Sequence, residues 1–160
     1  MKRIYSQNFD TFFEDLLKVD KAENVIRGRF DIEDIGLIVK NNFITHLISS
    51  LGKISSLTYK ILFWEKNDVI QTFIESNKRI EFRISAKYES GKKPGVIFID
   101  EKGLDKAFFE VLLTNHFNYE MAEEPSMNIR VQLCVNYENH ISIIDIYDDR
   151  GFNVYYLSLE

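Results

Sequence analysis

Three apolar runs in the last third of the chain constrain its fold most. Ile129, Val131, Leu133 and Val135 alternate with Arg130, Gln132, Cys134 and Asn136, the period of a strand with one face turned inward. A turn near Tyr137–Asn139 leads to Ile141–Tyr147, and Asp148-Asp149-Arg150-Gly151 turns the chain again into Phe152–Leu159. Connections this short join antiparallel strands, so these residues predict a three-stranded meander. Ile141, Ile143, Ile144 and Ile146 put apolar groups on both faces of the middle run. That pattern predicts central strands covered on both sides, or a bulge that shifts the alternation.

Helical and strand periods share the rest. Phe9, Phe12, Phe13, Leu16 and Leu17 predict a helix over 8–18, with Ser6 or Asn8 as its cap. Val25–Phe30 has strand character, and a second helix is expected over 41–51, ended by Gly52. Leu57, Tyr59, Ile61 and Phe63 alternate as a strand, and 67–76 predicts a short helix with Val69, Ile70, Phe73 and Ile74 inward. Over 79–88, Ile80, Phe82, Ile84, Ala86 and Tyr88 oppose Arg79, Glu81, Arg83, Ser85 and Lys87. A Gly-Pro-rich turn then gives a hairpin with Val96–Ile99. A long helix over 104–118 carries a stripe of Leu104, Ala107, Phe108, Val111 and Leu112. The expectation is one α+β domain over residues 1–160, mostly antiparallel, with the meander at its C-terminus and three to four helices.

Charge divides the chain unevenly. Residues 1–100 hold 16 basic and 14 acidic side chains, a balance of +2; residues 101–160 hold 4 and 11, a balance of −7. An acidic surface repels nucleic-acid phosphates and attracts basic proteins. A single Cys134 excludes an intrachain disulfide and fits a reducing, cytoplasmic setting. No apolar run reaches membrane-spanning length, so no membrane partner is expected.

Catalytic patterns are sparse. His46, His116 and His140 do not sit at metal-ligand spacing, and His116 and His140 read as helix-end and turn residues. Cys134 falls on the polar side of its strand, with His140 across the next turn as a conceivable partner. Ser50-Leu51-Gly52-Lys53 and Ser90-Gly91-Lys92-Lys93 match a short Ser-x-x-Lys pattern with no companion motif. With seven Gly and no phosphate-binding loop, no nucleotide cofactor is expected. Acidic groups cluster at Asp31, Glu33 and Asp34 and again at Asp145, Asp148 and Asp149. The second cluster reads first as a hairpin loop, with Asp bonding the turn backbone and Gly supplying a positive φ. Carboxylates so placed can also hold a metal ion or meet a partner's cations, with Arg150 bracing them.

The run from Ile144 through Tyr147-Asp148-Asp149-Arg150-Gly151 to Val154 resembles the signature of an uncharacterised family of small bacterial proteins. The helix end at Leu113-Thr114-Asn115, the Glu123-Glu124-Pro125 loop and Arg130-Val131-Gln132-Leu133 are similar too, over about residues 104–156. In type, that family is similar to the acidic, aromatic-rich immunity proteins of contact-dependent growth inhibition. The resemblance implies a cytoplasmic immunity protein, not an enzyme, that blocks the active site of a cognate and basic toxin domain, plausibly a nuclease. Its contact residues would be Glu123, Glu124, Asp145, Asp148, Asp149 and Arg150, with no cofactor or metal. The alternatives are a small metal-dependent hydrolase or nuclease using Asp145, Asp148 and Asp149, and a nucleic-acid-binding domain using the basic stretch Lys78–Lys93. Net negative charge makes nucleic acid the weakest of the partners.

Overall fold

A computed structural model describes residues 25–29, 56–77, 82–103, 105–136, 140–148 and 151–158. The helices expected over 8–18 and 41–51 lie outside the described residues. Those described form seven strands and two helices: β1 (Val25–Arg29), β2 (Ser56–Phe63), α1 (Asn67–Asn77), β3 (Arg83–Ala86), β4 (Gly95–Glu101), α2 (Lys106–Glu120), β5 (Ile129–Asn136), β6 (His140–Asp148) and β7 (Gly151–Ser158). All pairings are antiparallel, in the order β1-β7-β6-β5-β2-β4-β3. The expected meander is β5-β6-β7, and the hairpin is β3-β4.

Strand alternation builds the main core. Leu57, Tyr59, Ile61 and Phe63 of β2 are fully buried, in register with Val135, Leu133, Val131 and Ile129 of β5. Both helices add to this cluster, α1 through Ile70 and Ile74, α2 through Phe108, Phe109, Leu112 and Leu113. Tyr59 meets Phe108 edge to face, with ring centroids 5.5 Å apart. Val69, expected inward, is exposed instead, because the one-turn face of α1 that meets the sheet is narrow and Ile70 and Ile74 fill it.

The opposite face of the sheet is also withdrawn from water. Thr58, Gln132, Cys134, Ile141, Ile143 and Asp145 are all buried there. Both readings of the middle run hold: β6 is buried on two faces, and its register with β7 shifts between Ile146 and Asp148. The side of β5 carrying Gln132, Cys134 and Asn136 is therefore not a solvated face. At 79–88 the alternation of half-buried Phe82, Ile84, Ala86 and Tyr88 with exposed Arg83, Ser85 and Lys87 holds, while the strand itself is limited to Arg83–Ala86. Exposed Arg83 on this short edge strand, with Lys87 just past its end, opposes pairing with other chains.

Helix α2 is buried more widely than its expected stripe. Asp105 caps it, accepting from the Phe108 amide at 3.1 Å. Its last two turns bury Asn115, His116, Phe117 and Asn118. The helix ends with Ala122 at φ 55°, its N–H donating to the Tyr119 carbonyl while Glu123 N–H donates to the Asn118 carbonyl. That pair of bonds is a Schellman ending, whose left-handed position normally holds Gly. Ala122→Gly is expected to raise stability by about 0.5–1 kcal/mol, since it removes the Cβ penalty there. A urea midpoint that moves up at unchanged slope is the expected result.

Candidate functional site

The antiparallel order gathers one end of every central strand at the same rim. Phe63 at the end of β2 is in register with Ile129 at the start of β5 and with Gly95 at the start of β4. Val131 pairs with Ile146, and Asp148 at the end of β6 pairs with Gly151 at the start of β7. The segment from Met121 to Asn128 enters β5 at this rim. It carries Glu123 and Glu124, both exposed.

That segment is held at many points. Asn115 Nδ2 donates back to the Val111 carbonyl at 2.9 Å, and the Asn115 carbonyl accepts from Met127 N–H. Asn118 Nδ2 donates to the Pro125 carbonyl at 2.9 Å. The buried His116 ring bonds through Nδ1 to the Ile129 carbonyl, which can only accept, so Nδ1 carries a proton. His116 thus anchors the loop from inside the fold. Glu124 accepts from the Ser126 amide and hydroxyl at 2.9 and 3.2 Å, and Glu65 accepts from the Asn128 amide at 2.8 Å. The acidic loop is a braced element, not a tether.

Beside it opens a cleft of about 250 Å³ lined by Trp64, Glu120, Asn128, Ile129 and Arg130. Trp64 is 38% exposed and Tyr119 43%. With Val69 they are the exposed large apolar side chains among the described residues.

Of the other expected contact residues, Asp145 lies inside the fold. Its side chain is 4% exposed and meets the Arg130 guanidinium through two bonds, Nε to Oδ1 at 3.0 Å and Nη2 to Oδ2. Gln132 Nε2 donates to the same Oδ1 at 3.2 Å. Register aligns Phe98, Lys60, Gln132, Asp145 and Asn153 in one row across β4, β2, β5, β6 and β7. Asp145 is therefore a buried counter-charge that fixes Arg130, and it reaches the surface only through Arg130. Asp148 is placed by its backbone at the rim; its side chain, Asp149 and Arg150 lie outside the described residues, as do Asp31, Glu33 and Asp34. Among the described residues no three His, Cys, Asp or Glu side chains are grouped to hold a metal ion, and no helix is long and apolar enough to cross a membrane.

Cys134 is fully buried, its thiol pushed up to about 12 by burial first and by Asp100 second. A thiol held protonated is a poor nucleophile. Cys134 is expected to react with a thiol reagent only as fast as the protein unfolds. The unfolded chain releases this proton near pH 9 and the native chain keeps it to about 12. The stabilisation is thus complete below pH 9 and falls by about 1.4 kcal/mol per unit above it. Tyr59, raised above its usual 10 by burial and then by Asp105, adds to the fall at higher pH. Lys60 is lowered by burial, with Asp145 opposing and Arg130 assisting, so its contribution rises with pH up to 10.5. Denaturant midpoints measured from pH 8 to 11.5 should decline gently at first and steeply above about 10.5.

The sequence signals Glu123 and Glu124 but not Trp64, Glu120 and Arg130 as their neighbours. The cleft joins Trp64, just past β2, to β5, with Trp64 and Arg130 66 positions apart in sequence. The available signals were a lone Trp at a strand end and polar Asn115, His116 and Asn118 inside an apolar helix. No protein-family model matches the chain, and no curated protein or solved structure matches it.

Proposed function

We propose that this chain is an immunity protein that binds and neutralises a cognate bacterial toxin domain in the cytoplasm, without catalysis of its own. The observation that carries the reading is the rim where exposed Trp64 lines a cleft with Glu120, beside the loop that carries exposed Glu123 and the Glu124 carboxylate braced by Ser126. Aromatic anchors encircled by charge are what a tight protein interface uses. Acidic groups at that rim favour a basic partner and speed its approach. The −7 balance of the last sixty residues and the resemblance around Tyr147–Gly151 support the same partner class.

Toxin activity is blocked in this reading by occlusion: the rim covers the toxin's substrate cleft, and acidic side chains take the place of phosphates on its basic residues. Co-expression with a toxin domain, sought first in the gene's immediate neighbours, tests it. Survival of the cells and a purified complex whose association slows with added salt are expected. The absence of both protection and a complex would refute the reading.

A further inference from the structure

We propose that two polar clasps, Ser56 with Asn136 at one end and Glu65 with Asn128 at the other, select the register of β2 against β5 and so place Trp64 at the rim. The proposal holds whatever partner the rim binds.

Alternation alone leaves this register open. A slip of one residue turns the apolar set of β2 to the wrong face, whereas a slip of two keeps every side chain on its own face. The core-face ladder sets Leu57 against Val135, Tyr59 against Leu133, Ile61 against Val131 and Phe63 against Ile129. Moved by two positions, it still sets apolar against apolar. No tight turn corrects the slip, because Phe63 and Ile129 stand 66 positions apart in sequence. The neighbouring pairings are fixed by other means. Only three residues join β5 to β6, and so short a loop sets the register of its hairpin. Between β2 and β4, Phe63 lies over Gly95 where no Cβ fits, and Thr58 Oγ1 donates to Asp100 Oδ1 at 2.7 Å.

Between β2 and β5 the fixing groups are polar. Asn136 Nδ2 donates to Ser56 Oγ at 3.0 Å across the first pair of the ladder. Beyond the last pair, the Asn128 amide donates to Glu65 Oε1 at 2.8 Å, while the Trp64 amide donates to the Asn128 carbonyl. A two-residue slip in either direction separates both clasps. Asn136 is 3% exposed, so losing its partner is costly.

The two directions differ. In the native register Lys60 faces Gln132. One slip brings Lys60 opposite Arg130, cation against cation, and is disfavoured without the clasps. The other brings Lys60 opposite Cys134 and Tyr59 opposite Val135, and this is the slip the clasps oppose. It would set Trp64 opposite Arg130 in place of Asn128, a displacement of about 7 Å at the strand rise. Glu65 and Asn136 are thus positioning residues for the candidate site.

Cross-strand nuclear Overhauser contacts in the full-length protein read the register directly. Wild type should give one set, with Tyr59 against Leu133. In Glu65→Ala combined with Asn136→Leu, a second set with Tyr59 against Val135 is expected, its share raised roughly twentyfold because each lost bond contributes about fivefold. Loss of stability by itself would weaken the native contacts without creating new ones. Glu65→Gln keeps the acceptor, and Thr58→Val leaves Phe63 over Gly95, so each should show the native set alone. A double variant with only the native set, at whatever stability, would overturn the proposal. So would a second set in Thr58→Val, since register would then depend on polar pairs at large. Should the double variant not fold, Glu65→Ala and Asn136→Leu are read singly at about fivefold each, and the native set alone in both would overturn the proposal as well.

Discussion

Replacing Asp145 with Ala is expected to lower the unfolding free energy by about 3 kcal/mol. Removing one partner of a buried pair costs about 3–5 kcal/mol, because the other charge stays behind without compensation. Arg130 is about a third exposed and recovers some hydration, which places the effect toward the low end. Lys60, 9% exposed, in the same row, would then face Arg130 without the intervening carboxylate. Asp145→Asn should cost nearly as much, since an amide restores the hydrogen bonding to Gln132 but not the charge. Arg130→Met combined with Asp145→Leu should recover most of the loss, as buried pairs exchanged for apolar groups of similar volume often do. A double-mutant cycle with a coupling below about 0.5 kcal/mol would show that the pair contributes little.

Gly95→Ala is expected to cost as much. A Cβ at Gly95 would sit 2.0 Å from Phe63 Cζ and 2.4 Å from both Cε atoms. Phe63 lies directly across from Gly95 on β2, fully buried, with its ring laid over the glycine. Either the ring leaves its site, at a cost approaching the ~3–5 kcal/mol of losing a core Phe, or the two strands move apart. About 3 kcal/mol is expected, which for a chain of this length lowers Tm by roughly 6–12 °C. Phe63→Leu in the same molecule should restore part of it, because the shorter side chain clears the new methyl group. A drop of less than about 1 kcal/mol in Gly95→Ala would mean that the ring has somewhere else to go.

Much of this fold is legible in the alternation of the strands. The meander, the β3-β4 hairpin and the inward face of β2 follow from period-2 patterns in Leu57–Phe63, Ile80–Tyr88 and Ile129–Asn136. What alternation cannot state is whether the second face of a strand meets water. Cys134 and Gln132 read as outward residues, and they are outward from the main core, yet both are buried. Helix α2 shows the same limit. Its apolar stripe predicts one buried face, while Asn115, His116 and Asn118 are buried because each bonds a specific carbonyl or carries one that accepts from the returning loop.

The candidate site was half legible for a related reason. Charge counting points to the last sixty residues and to Glu123 and Glu124. It does not separate a surface carboxylate from Asp145, which sequence places among the contact residues and the fold places under Arg130. Nor does it bring Trp64 to Arg130, a neighbourhood created by the β2-β5 pairing. The proposed contact therefore drops Asp145 from the set Glu123, Glu124, Asp145, Asp148, Asp149 and Arg150 and adds Trp64 and Glu120 at the rim where β5 starts.

Hydrogen exchange across the chain, with and without the cognate toxin domain that the proposed function requires, tests that placement most directly. The account predicts added protection at residues 119–130 and around Trp64 on complex formation, with the β3-β4 hairpin unchanged. Protection confined to the hairpin between Lys87 and Gly95, with 119–130 exchanging as in the free protein, would contradict it.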